Sequence, residues 1–83
     1  MKKLTQDVFK DAPEWVRSAA VDKNGDAYWY STDKSMLYAG RFFHQFSYSQ
    51  TLGENLARQC YCIGDGYSTK NWQNSAIDRE VQP

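Results

Sequence analysis

Cys60 and Cys62 are the only cysteines in this sequence and His44 is its only histidine. These are the residue types that hold soft metals or attack carbon. As zinc ligands they fall short. Structural zinc sites usually space paired cysteines by two to four residues and complete a set of four, whereas this pair is separated by one and has no second cluster. As a thiolate–imidazole couple they lack a marked third group and an oxyanion loop. The plainer expectation is two buried thiols on a core strand, with His44 hydrogen-bonded among Phe42, Phe46 and Tyr48. On a strand, Cys60 and Cys62 project from one face, a poor arrangement for an intramolecular disulfide. Both are expected to be free thiols in a reducing cytoplasm.

Oxygen ligands offer a second possibility. Asp22-Lys23-Asn24-Gly25-Asp26 matches the opening of an EF-hand calcium loop, with Asp33 at the twelfth position. The sixth position of that loop requires glycine for a sharp bend, and here it is Ala27. The closing position calls for a glutamate, and Asp33 is shorter. Tyr28-Trp29-Tyr30 then favours a strand where the loop should lead into a helix. Gly64-Asp65-Gly66 is too short for a phosphate loop and reads as a turn. The sequence therefore predicts no catalytic residue, no metal and no cofactor, hence a protein that is not an enzyme.

The elements that would position these residues centre on a hairpin over 15–31. Two strand-forming runs flank Asp22–Gly25, where Asp22 and Gly25 suit a type I turn with Gly25 in a bulge. A two-residue turn on Asn24-Gly25 is the competitor, and the choice sets the register. With the bulge, Trp29 shares a face with Ala19 and Val21, while Tyr28 and Tyr30 lie with Val16, Ser18 and Ala20. Before the hairpin, Thr5–Phe9 suits one helical turn pinned by Val8 and Phe9, and Pro13 forces an extended approach to Trp15.

After it, residues 32–40 read equally as a short helix capped by Asp33 or as a loop. Residues 41–48 alternate as a third strand, with Phe42, His44, Phe46 and Tyr48 on its inner face. Thr51 and Glu54 mark a short helix. Cys60-Tyr61-Cys62-Ile63 is apolar on both faces, as a central strand would be. Ser68 or Thr69 can cap a final helix whose Trp72, Ala76 and Ile77 form one apolar stripe. The expected fold is α+β: an antiparallel sheet of about four strands, the hairpin at its centre and a C-terminal helix on one face. Residues 1–83 form a single domain.

Thirteen aromatics outnumber the ten Leu, Ile and Val residues, so rings must build the core and some must reach the surface. Ten basic and ten acidic residues cancel, which argues against non-specific nucleic-acid binding because that requires a surplus of cations. The N-terminal lysines have no apolar run behind them, so no signal peptide is read, and no run is long enough to span a membrane. Surface rings beside arginine are the currency of protein interfaces. On the third strand Arg41, Phe43 and Gln45 share the outer face and are the candidate partner-binding residues.

Val8 to Trp15 carries V-F-x3-P-x-W, Ala19 to Gly25 carries A-A-V-D-x2-G, and Trp72 to Glu80 carries W-Q-N-S-x-I-x-R-E. In these motifs, which cover about a third of the chain at its two ends, it resembles a group of short, uncharacterised proteins encoded by tailed bacteriophages. The resemblance implies a small accessory protein in the cytoplasm of a bacterial host. It implies stoichiometric binding of a host protein, and inhibition of a nuclease-based defence as one form of that. A nucleic-acid-binding accessory protein is the alternative, and a small hydrolase a distant third.

Overall fold

A computed structural model of the chain describes residues 2–40, 45–48 and 59–80, without the side chains of 47 and 48. Among the described residues, six short strands form two antiparallel sheets. They are β1 (Ser18–Val21), β2 (Ala27–Tyr30), β3 (Leu37–Ala39), β4 (Phe46–Tyr48), β5 (Cys60–Gly64) and β6 (Ile77–Asp78). The larger sheet has the order β5-β2-β1-β6, and β3 pairs with β4 in the smaller one. The class is a small α+β fold with four strands in its main sheet and the hairpin at the centre, as expected. Among the described residues its helical part consists only of 3-10 turns, at Gln6–Phe9, Lys34–Met36 and Trp72–Asn74.

The hairpin takes the bulged register. The Gly25 amide donates to the Asp22 carbonyl at 3.0 Å, and the Asp22 amide donates to the Asp26 carbonyl at 2.8 Å. Gly25 sits at φ 92°, a conformation that disfavours any Cβ. Ala19 therefore lies opposite Trp29, Ala20 opposite Tyr28 and Val21 opposite Ala27. Small residues facing large rings let the sheet carry both without a clash.

Val16 does not stay on the face of Tyr28 and Tyr30. Both Ser18 and the Arg17 amide address Tyr30, the latter at 2.8 Å to its carbonyl. Two residues against one make a further irregularity, which turns Val16 to the opposite face. There it joins Phe9 and Ala19, packed by Leu4, Val8, Trp15, Trp29 and Ile77. On the other face Ala20, Tyr30, Phe46 and Trp72 form the second cluster, with Leu37, Ala39 and Ala76 against it. The sheet is thus covered on both sides, by the N-terminal segment and by the small sheet.

The expected C-terminal helix is absent. Trp72–Asn74 is a single 3-10 turn, preceded by Asn71 in the left-handed region and followed by β6. Asparagine and serine are weak helix formers, and an alternative partner is close by. The Ser75 hydroxyl accepts from the Val21 amide at 2.9 Å and donates to the Val21 carbonyl at 3.2 Å. It thereby extends the edge that β6 occupies, where Ile77 pairs with Ala19. The chain crosses the sheet edge at this point, so Trp72 and Ala76 pack on one face and Ile77 on the other.

Residues 32–40 are both a 3-10 turn and a strand. The Asp33 side chain makes no cap bond, and the Lys34 amide instead donates to Asp78 Oδ1 at 2.7 Å. Of the expected third strand, only 46–48 is described as strand, and Phe46 is buried as its inner face required. The helix expected near Thr51 and Glu54 lies outside the described residues. The stretch expected to be a central strand is β5, which among the described residues stands at the sheet's edge.

Candidate functional site

Gln45 is exposed, and its carbonyl accepts from the Gly40 amide at 2.8 Å in the β3–β4 turn. Arg41 and Phe43 lie outside the described residues, as does His44. The burial expected of the thiols is overturned: Cys60 and Cys62 are both free and exposed, on a strand that among the described residues pairs only with β2. Cys62 stands beside the Tyr28 ring. Burial, chiefly, and the neighbouring Cys62 push the Tyr28 phenol above its ordinary value of 10.0, so it stays protonated at neutral pH.

The oxygens of the Asp22–Asp26 turn are directed at the protein's own donors. Asp22 is buried, with Oδ1 accepting from the Phe46 amide at 3.0 Å. Asn24 Oδ1 accepts from the Asp26 amide at 3.0 Å, and Asn24 Nδ2 donates to Asp26 Oδ2 at 3.1 Å. Among the described residues no group of three or more His, Cys, Asp or Glu is placed to hold a metal ion.

A well-formed surface feature lies on the face of Trp29. Its indole N–H donates to the Val8 carbonyl at 3.0 Å, which fixes the ring against the N-terminal turn. That turn is fixed in its own right, since Thr5 Oγ1 accepts from the Asp7 amide and Phe9 is buried. Tyr61 lies directly across from Trp29 on β5, and the two rings stack with centroids 5.8 Å apart and planes 27° from parallel. Tyr61 nevertheless remains 60 % exposed. Beside the pair opens a cleft of about 410 Å³, bordered by Asp7, Lys10, Asp11, Ile63 and Tyr67. Its far wall is stiffened where Lys2 bridges to Tyr67 and its ammonium sits 4.6 Å from the centre of that ring.

A rigid aromatic platform beside a cleft edged by both signs of charge can bind; Cys62 also lines that cleft. Tyr61 escaped the sequence reading because a strand apolar on both faces reads as central, and nothing local in Cys60–Ile63 reveals its position in the strand order. The chain matches no family model, no curated protein and no solved structure. Among the described residues, no helix is long and apolar enough to cross a membrane.

Proposed function

We propose that this is a non-enzymatic binding protein that engages another protein stoichiometrically through the face carrying Trp29 and Tyr61. One observation carries the reading: a tyrosine 60 % exposed yet held in place by stacking on a tryptophan that is itself hydrogen-bonded. A ring ordered before binding loses little entropy when a partner covers it, and tyrosine and tryptophan dominate the energetics of protein interfaces. The mixed charge of Asp7, Lys10 and Asp11 along the cleft suits a polar rim. The phage-like motifs at the two ends of the chain support a host protein as the partner, in the bacterial cytoplasm, with blocking of a nuclease-based defence as the effect.

The test begins with affinity purification from bacterial lysate and identification of the retained protein. The dissociation constant is then measured with that protein purified. Tyr61→Ala should weaken binding tenfold or more, roughly 1.4 kcal/mol, with the melting temperature unchanged. Affinity should vary little between low and moderate salt. A steep loss with salt would point instead to phosphate contacts and a nucleic-acid ligand. Unchanged affinity in Tyr61→Ala would place the interface elsewhere.

A further inference from the structure

Among the described residues, nothing pairs with the outer edge of β5. In β2 the Tyr30 carbonyl faces β1, so by alternation the backbone of Trp29 faces β5. Tyr61, opposite Trp29, turns its own N–H and C=O back toward β2. The backbone groups of Cys60 and Cys62 therefore point away from the sheet. Among the described residues no strand pairs with them, and both residues are exposed. Natural edges are usually guarded by lysine, proline or an inward charge. Cys60–Gly64 contains none of these. Its one irregularity is the register shift opposite Ala27, where Ile63 is the extra residue, and this leaves Cys60–Cys62 as the regular stretch.

We propose that this edge pairs with the same edge of a second copy of the chain, antiparallel and centred on Tyr61. The register is self-complementary. Cys60 of each copy meets Cys62 of the other, and both residues present outward N–H and C=O groups, so every donor on the short edge finds an acceptor. Identical copies bring identical charges together across a twofold axis, and an uncharged strand meets no repulsion there. The axis runs perpendicular to the sheet, so Tyr61 of both copies projects from the same face. The Trp29–Tyr61 stack then continues across the junction as a row of four rings. Eight strands form one continuous sheet, and the face assigned to partner binding is doubled while remaining free. This pairing does not depend on that assignment.

The thiols supply the test, because the register places Cys60 opposite Cys62 and neither opposite itself. Cys60→Ser and Cys62→Ser are prepared separately, checked for an unchanged melting temperature, and treated with a short bismaleimide. Each thiol adds across a maleimide double bond, so no oxidant is needed. An equimolar mixture should give covalent dimer more readily than either variant alone, because Cys60 and Cys62 are directly opposite whereas like cysteines are diagonal at about 7–8 Å. Peptide mapping should locate the link in the mixture between Cys62 of one variant and Cys60 of the other. Sedimentation of the untreated wild-type chain should show a monomer–dimer equilibrium. Equal cross-linking in the single variants, no cross-link in the mixture, or a monomer at every concentration would each overturn the proposal.

Discussion

The carboxylate of Asp22 accepts a hydrogen bond from the backbone amide of Phe46, 24 residues along the chain, at 3.0 Å and out of contact with solvent. A turn residue of the central hairpin thus fixes the first residue of β4. That in turn sets the Phe46 ring edge-on to Trp72, with centroids 5.9 Å apart and planes at 90°.

That carboxyl should make stability depend on pH in an unusual direction. Burial, the largest influence, raises its pKa above the ordinary 3.8; the Phe46 amide lowers it and nearby Asp26 raises it. Asp22 therefore holds its proton more tightly folded than unfolded. The stabilisation is complete below 3.8 and is lost as pH rises through the higher folded-state value. Asp22→Asn keeps an oxygen for the Phe46 amide and removes the titration. Urea unfolding measured across the acid range should show a decline above 3.8 that is smaller in the variant. Equal slopes in the two proteins would contradict this.

Trp72 is only 7 % exposed and joins the cluster that closes one face of the sheet. Truncation to alanine should cost roughly 3–5 kcal/mol, the usual loss for a large buried ring. For a domain this small that is a large share of the total. Chemical denaturation would register it as a lower midpoint, and a shift of only a few tenths of a molar urea would show that the ring contributes little.

Gly25 combines φ 92° with a crowded surround: a Cβ placed there would lie 3.2 Å from the Tyr67 carbonyl oxygen. Gly25→Ala should therefore destabilise by about 1–2 kcal/mol from backbone conformation alone. It should also disturb the hydrogen bond from the Tyr67 amide to the Gly25 carbonyl, 3.1 Å in the native chain. Slower amide exchange at Tyr67 in the variant than in the parent would count against this account.

Calcium should not bind the Asp22–Asp26 turn with useful affinity. The Asp22 Oδ1 and Asn24 Oδ1 atoms already accept from the Phe46 and Asp26 amides, and Ala27 begins a strand where a binding loop must bend. Titration with millimolar calcium under amide NMR is the measurement. Saturable shifts centred on Asp22, Asn24 and Asp26 would reverse the conclusion.

How far the sequence could be read depended on how local each signal was. The hairpin itself was legible because Asp22, Asn24 and Gly25 specify a turn within four residues, whereas two turns stayed open on the sequence and the register is settled only by the structure. Thr5–Phe9 was legible for the same reason. The burial of Trp72 followed from its size, whereas its secondary structure did not. Whether Ser75 continues a helix or bonds to Val21 depends on a strand 54 residues earlier. The candidate site was the least legible part. Tyr61 carries the proposed function because β5 is an edge among the described strands, and strand order is decided by distant partners. The residues favoured from alternation, Arg41, Phe43 and Gln45, were chosen on one strand's pattern alone.

The C-terminal segment reaches far back along the chain. Arg79 donates to the carbonyls of Pro13 at 2.8 Å, Val16 at 3.3 Å and Ala12 at 3.4 Å. Gln6 receives the Glu80 amide at 3.0 Å and donates to the Asp78 carbonyl at 2.8 Å. None of these bonds can form on the ribosome until residues 78–80 emerge from the exit tunnel, after every other described element is already outside. Until then the nascent hairpin waits with the β6 side of β1 unpaired, and a chain stalled before Ile77 presents an open strand to its neighbours on the polysome. Premature termination in this region should therefore yield aggregates rather than a shortened soluble product.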